Sequence, residues 1–548
     1  MQCILAGNKR KMDRESHYKL LDAVGDHFRT YYESAQERFP SALVMLASGQ
    51  SVASLREISR IKPDLLNAVK NIGGAEVGGI FTDMGGVTEA DPYIYQRLYQ
   101  RHCLYRDVPD DLLERRENLR RTGYVIMGHA QEARRHERHG MQGYIARALL
   151  GDLAFHRSSS YMAHMEEVFE NARAISEAQA KSLGRTEAYD ANLEDFTPGI
   201  ETAAYRELLQ HLKEEAVQAR NHAIHNASGA DISPLPEFTV EQAQRLVDLV
   251  CELLPVDDTT FQTHLLEGIP SMCMGNIATI RYTSNPFTLL ETAFHERIGH
   301  LTYRQGSDDT GGIQGFHMDE ARALSLERFL LREPGMLEHV SDILGRSYGE
   351  DHPAFATDNL MIAANGVSGN MSERVAADDL TYIIQETIRG QAELDVMSGR
   401  LKVTEMPDFL AAETEEALGF SGLNGYHLMR ETFQWPLCMH GHVSSYPQGM
   451  VIAAQLHAAA KSDLSEELTD LSEGADSAYF QFKSHHVDRH GATKSAKDIV
   501  EDATGAAYLD TDPLIKYVHS KISGKNDLGQ KERPENVSAG RSKNTLDL

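Results

Sequence analysis

The sequence predicts a mainly α-helical fold, a single large helical body with few short strands. Three observations lead there. Apolar residues recur three or four apart between charges along most of the chain. The β-branched alternation that marks strands is rare. With 41% hydrophobic and 25% charged residues over 548 positions, the chain has apolar surface for a large core and is not a disordered protein.

Taken in order, the helical period shows first in the run from Tyr93 to Gln100 and in the charged run from Leu112 to Arg121, then from Tyr205 to Glu215 and from Val240 to Leu254. Gly73-Gly74, Gly78-Gly79 and Gly85-Gly86 punctuate a glycine-rich region that suits loops or short strands. Further breaks fall at Asp231 to Pro236 and Gly366 to Gly369. Two more helices are expected, at Asn285–Gly306 and Gly315–Leu330. Asn285 can cap the first of these, Pro286 suits its first position and Gly306 can close it. From about Ser523 the chain is rich in Lys, Asn, Ser and Gly and cannot bury enough surface to offset its ordering entropy, so 523–548 is expected to be a disordered tail.

Composition also excludes partners. The 54 basic against 81 acidic residues leave a net charge of −27, which repels a polyanion, so no nucleic-acid partner is expected. The local cluster Arg134-Arg135-His-Glu-Arg138-His139 reads as a solvated helix face. Five scattered cysteines without a CxxC pair fit a reducing cytosol rather than a disulfide framework, and neither a signal peptide nor a run of about 18 apolar residues is apparent. The expected location is cytoplasmic, with no membrane partner. The glycine-rich region carries neither GxGxxG nor a Walker lysine, which leaves no nucleotide signal.

The chemistry concentrates in Phe294-His295-Glu296-Arg-Ile-Gly299-His300. In the common HExxH zinc motif the histidines are four apart and share a helix face, with the glutamate beside the ion's water. Here they are five apart, which on an α-helix separates them by ~140°. A one-residue π-bulge between Arg297 and Gly299 restores a common face, with Gly299 as the residue that yields. Without such a bulge they are two histidines on a helix. Downstream, Glu320 and Glu327 lie seven apart on one face. One can complete a His-His-Glu site while the other orients a ligand histidine from behind, unless Asp319, Glu320 and Glu327 are only a solvated charged face. The pairs His222/His225 and His485/His486, with Asp488, read as helix-surface histidines.

These residues resemble the zinc carboxypeptidases of the carboxypeptidase Taq type. Gly299 to Gly306 is similar to that family's GHALYEQG, and Glu320 to Glu327 to its HESQSRLWE in spacing. Arg374-Val-Ala-Ala-Asp378-Asp379-Leu-Thr-Tyr-Ile-Ile-Gln385, continuing to Arg389 and Glu393, resembles IRxxADELTYPLH followed by RYEIE. Gly184 through Tyr189-Asp190 to Pro198-Gly199 resembles LG…YDxLLxxYEPG, and His440 to Gly449 with Gln455 resembles GYFPTYxLG…AAQ. His490-Gly491, Ala503-Thr-Gly505 and Asp512 to Tyr517 resemble HxxG…ATG…PFLxYL, so the likeness spans roughly residues 90 to 520.

The resemblance implies one helical body with a deep central groove, a catalytic body at 91–522, and an N-terminal helical region at 1–90 in the position of the relatives' lid. It implies one Zn2+ per chain, with Co2+ or Mn2+ as substitutes, held by His295, His300 and Glu320, with Glu327 behind a ligand histidine. Glu296 is then the general base that takes a proton from the attacking water, Arg374 the group that holds a substrate carboxylate, and Tyr446 the donor to the oxyanion. His442 and Gln385 line the substrate groove, and a homodimer is implied. Several positions depart from the family. Its HPF stands here as Ile269-Pro270-Ser271, its DVR as Gly275-Asn276-Ile277, the last histidine of TYPLH as Gln385 and the first tyrosine of GYFPTY as His442. The HExxGH spacing followed by Asp319-Glu-Ala-Arg-Ala323 is also similar to dipeptidyl peptidase III, which carries HExxGH and EECRAE. The expected function is therefore a zinc-dependent metallocarboxypeptidase acting on peptides. The alternatives are an amidohydrolase of the same fold acting on a small acylated amino acid or non-peptide amide, and a non-catalytic relative that uses the groove for binding.

Overall fold

The computed structural model describes residues 104, 108–120, 122–123, 159–226, 233–253, 262–266, 271–274, 277–301, 314–367, 378–419, 421–471, 477–490 and 494–520. The expectations for the N-terminal region 1–90, the glycine-rich loops, the run 93–100, the cluster 134–139 and the tail 523–548 lie outside the described residues.

The mainly helical expectation holds. Helices α1 (Ser159–Leu183), α2 (Tyr189–Phe196), α3 (Thr202–Asn226) and α4 (Val240–Leu253) lead into three short strands, β1 (Gln262–Leu266), β2 (Met272–Met274) and β3 (Ile277–Arg281). β3 is central, parallel to β1 and antiparallel to β2, with Gln262 opposite Ile277 and Met272 opposite Thr279. Then come α5 (Pro286–Ala293), α6 (Phe316–Leu324), α7 (Pro334–Tyr348), α8 (Thr357–Asn365), α9 (Asp379–Met397), α10 (Met406–Leu418) and α11 (Gly425–Arg430). The chain continues through α12 (Ser445–Leu464), α13 (Ala478–His486), α14 (Ala496–Thr504) and α15 (Asp512–Ser520). The periodic runs from Tyr205 and Val240 are the interiors of α3 and α4, and α3 extends eleven residues beyond the expected end at Glu215.

Apolar faces sort these helices into two cores. One joins α1, α3, α9 and α12 through residues such as Phe169, Leu212, Ile388 and Ile452. The other joins α4, α5 and α7 through Val247, Leu290 and Val340. The segment from α6 onward belongs to both, since Met318, Ala321 and Leu324 face the first while Leu326 and Leu330 face the second. A segment packed on both sides is held against displacement, and it is the one that carries Glu320 and Glu327.

Candidate metal centre

Asn285 opens the first site helix as its sequence suggests: its side-chain oxygen accepts from the Phe287 and Thr288 amides at 3.0 and 3.2 Å, and Pro286 takes the first turn. After Ala293 the helix passes into a π-helix over Phe294–Leu301. The widening expected at a single residue thus extends over eight. Hydrogen bonding from i to i+5 stacks residues five apart, and this brings His295 and His300 to one side. Their Nε2 atoms are 3.1 Å apart. Two nitrogens bound to one tetrahedral ion at ~2.0–2.1 Å stand about 3.3 Å apart, so the spacing suits a shared ion.

The second helix supplies the third donor. Glu320 Oε2 lies 3.7 Å from His295 Nε2, and donor atoms of His295, His300 and Glu320 all fall within 4.8 Å of one another. Two imidazoles and a carboxylate form the donor set of a borderline divalent ion, and this set fits zinc, cobalt or manganese.

Glu327 meets the same imidazole from its other side, Oε2 to Nδ1 at 2.7 Å. A carboxylate accepts, so a ring proton is held on Nδ1 and Nε2 is the nitrogen left to a metal ion, which would displace any proton there on binding. Burial works against charge on His295, but the Glu327 bond and the nearby Glu296 and Glu320 carboxylates override it and raise the imidazole to about 9. Burial likewise opposes charge on Glu327, yet Arg328 and the His295 bond bring its carboxyl down to about 2 and keep it ionised. Glu327 falls within a second π-turn, Ser325–Phe329, which the seven-residue spacing does not foretell.

Two glycines fix how closely these helices meet. A Cβ on Gly299 would lie 2.5 Å from Ala323 Cα and 2.7 Å from Ala323 Cβ, so the π-helix rests directly on α6. A Cβ on Gly449 of α12 would stand 2.9 Å from Glu320 Cβ. α6 is pinched between bare backbones, and Glu320 cannot retreat from the histidines.

The remaining sequence-picked residues fall as follows. Glu296 is buried on the π-helix beside His295. His442 and Tyr446 flank the start of α12, their rings 5.7 Å apart, and His442 lies 4.9 Å from the ring of Phe316, one turn before Glu320. The Gln434 amide donates to the Tyr446 hydroxyl at 2.8 Å. Gln385 is buried on α9, one turn after Tyr382. Arg374 and the positions 269, 270, 275 and 276 lie outside the described residues. The two acidic residues that follow Arg374 divide their work: Asp378 caps α9 through Thr381, while Asp379 pairs with Arg328 and Arg332. His222, His225 and His485 are exposed, and Asp488 pairs with Arg322 and Lys483.

Spacing arguments miss the residues behind Glu327. Arg328 pairs with Glu327 at 2.8 Å and with Asp379 at 3.3 Å, and Arg332 links Asp379, Glu291 and the Glu327 carbonyl. The one available signal is the run of arginines at Arg322, Arg328 and Arg332 in a segment that is otherwise core.

Among known proteins, a sequence model of the family described as carboxypeptidase Taq (M32) metallopeptidase matches residues 156–522. Carboxypeptidase 1 of Bacillus subtilis (strain 168) is 26% identical over 352 residues, 61% of this chain and 68% of the relative. Thermostable carboxypeptidase 1 of Thermus thermophilus is 23% identical over 356 residues, 62% and 68% of the two chains. In fold, the chain is similar to the solved metallocarboxypeptidase 1 of Trypanosoma cruzi at a TM-score of 0.73 and 18% identity, covering 91% of this chain and 99% of that one. For the carboxypeptidase of Pyrococcus furiosus the TM-score is 0.75 at 15% identity, covering 94% and 100%.

Proposed function

The chain belongs to the carboxypeptidase Taq (M32) metallopeptidase family, and from that premise we propose that it is a zinc-dependent carboxypeptidase whose ligands are His295, His300 and Glu320. The observation that carries the reading is the convergence of three donors from two helices within 4.8 Å, despite the extra residue between the histidines. A bound divalent ion polarises the scissile carbonyl and sharpens the nucleophilicity of water.

The chain's own residues do the rest. Glu296 accepts the proton of the attacking water and passes it to the leaving amine. Tyr446, oriented by Gln434, donates its O–H where negative charge gathers on the carbonyl oxygen. Arg374 grips the C-terminal carboxylate of the peptide, a bidentate task that suits a planar guanidinium. His442 and Gln385 shape the groove on either side. The catalytic body spans 91–522, with 1–90 as a separate N-terminal region. The enzyme acts in the cytosol as a homodimer; five scattered cysteines without a CxxC pair suit a reducing compartment. Among the described residues no helix is long and apolar enough to cross a membrane.

The test is to incubate zinc-loaded protein with peptides bearing free or amidated C-termini and to follow product masses. Stepwise loss of single C-terminal residues from the free-carboxyl peptides alone is expected. Inertness toward every peptide with zinc bound would instead favour an amidohydrolase, the alternative raised by Ile269-Pro270-Ser271 and Gly275-Asn276-Ile277 in place of HPF and DVR.

A further inference from the structure

We propose that Tyr517 of helix α15 and Asp379 at the start of α9 are positioning residues that set the metal affinity of the site, acting through Arg328 and Glu327 on His295, a role that rests on the reading of His295, His300 and Glu320 as ligands. Glu327 divides its two oxygens: Oε2 faces His295 Nδ1 at 2.7 Å, and Oε1 faces Arg328 Nη2 at 2.8 Å. A carboxylate held at both ends cannot turn without giving up a buried ion pair, so the direction of the His295 ring follows the position of Arg328.

Arg328 is in turn held on three sides. Its Nη1 reaches Asp379 Oδ1 at 3.3 Å, its guanidinium lies 4.7 Å from the centroid of the Tyr382 ring, and its carbonyl lies 2.9 Å from the Tyr517 hydroxyl, whose single proton it shares with Asp379. The same hydroxyl donates to Asp379 Oδ2, which also meets Arg332 Nε at 3.1 Å. The side chains of Arg328 and Asp379 are only 4% and 2% exposed. At that depth an ion pair is poorly screened, and removing one partner strands the other. Geometry is therefore passed along the chain instead of being absorbed by water. Glu327, Asp379 and Tyr517 come from segments far apart in sequence, and helix α15 is tied to the ring that bears a ligand nitrogen.

Groups behind a ligand histidine commonly govern metal affinity by about 10–100-fold. Tyr517→Phe removes one hydroxyl and leaves the ring that packs at 4.7 Å on Phe329. Full-length protein is stripped with chelator, and Zn2+ is titrated in competition with a chromophoric chelator. Absorption of the Co2+-loaded protein reports coordination geometry, which a merely structural loss would leave alone.

Tyr517→Phe is expected to weaken zinc binding about threefold to tenfold, and Asp379→Asn about 10–100-fold, each with altered Co2+ bands. Tyr189→Phe removes a buried hydroxyl bound to Glu393 instead, and it is expected to leave affinity and bands unchanged. Zinc affinities within twofold of wild type for both Tyr517→Phe and Asp379→Asn overturn the proposal; if Asp379→Asn fails to fold, Tyr517→Phe alone decides. His300→Ala is titrated alongside. Wild-type affinity in that variant overturns the ligand reading itself and takes the proposal with it, whereas loss of binding there with Tyr517→Phe and Asp379→Asn both unchanged overturns the proposal alone.

Discussion

Replacing Gly299 by alanine sets a methyl group 2.5 Å from Ala323 Cα and 2.7 Å from its Cβ. Carbon atoms rest at about 3.5–4.0 Å, so the π-helix and α6 have to part by about 1 Å. The obstructing atom is backbone and cannot swing aside. Glu320 rides on α6 one turn before Ala323, so the carboxylate leaves the histidines by a similar distance. Metal sites hold their ligand distances to about ±0.2 Å, and a displacement several times larger removes one of three protein ligands, worth roughly 3 kcal/mol or a 100-fold loss of zinc affinity. Overpacking also costs about 1–3 kcal/mol in the stripped protein, a fall of a few degrees in Tm at about 1 °C per kcal/mol for a chain of this length. The assay pairs a zinc competition titration with melts taken with and without metal. Wild-type zinc affinity in Gly299→Ala would refute the claim that the closeness of these two helices sets the site.

Glu296→Gln is expected to keep zinc and lose hydrolysis by at least about 100-fold, because the general base goes while the ligands stay; His300→Ala is expected to lose both, and equal activity in Glu296→Gln would reject its role. Chelator should lower the Tm of wild-type protein and saturating zinc restore it, by up to about 4 kcal/mol of linkage at 1,000 Kd, with Gly299→Ala responding less. Glu393 gives a pH signature. Burial raises its carboxyl to about 7 despite bonds from Tyr189, Gly441 and Trp435, so the folded state favours the protonated form. Its contribution is present below about pH 4.5 and is lost as pH rises through about 7, roughly 3 kcal/mol in all. Denaturant titrations across that window should show a shallower fall in Glu393→Gln, and identical slopes would contradict the assignment. Asn285→Ala removes the cap of the helix that leads into His295 and should cost about 1 kcal/mol in the same titrations.

Much of the site can be read along the chain because its determinants are local. Asn285 and Pro286 announce a helix start, and the five-residue spacing of His295 and His300 demands extra backbone, which the structure supplies as a π-helix. Seven-residue spacing places Glu320 and Glu327 together, and they meet opposite edges of one imidazole. The rest depends on contacts that no local pattern encodes. Asp379 lies 51 residues beyond its Arg328 partner and Tyr517 lies 189 beyond, so spacing cannot reveal the pairing. Gly449 reads as one more residue of α12 until packing sets it against Glu320. The second π-turn at Ser325–Phe329 has no marker comparable to the histidine pair, since all of its residues are buried and no register conflict announces it.

X-ray absorption at the zinc edge of protein loaded with one equivalent of zinc tests the central claim most directly. The account predicts two imidazole nitrogens at about 2.0–2.1 Å and oxygen donors at about 2.0–2.2 Å, with the imidazole signal halved in His300→Ala. A zinc environment without paired imidazoles, or one that His300→Ala leaves unchanged, would contradict it.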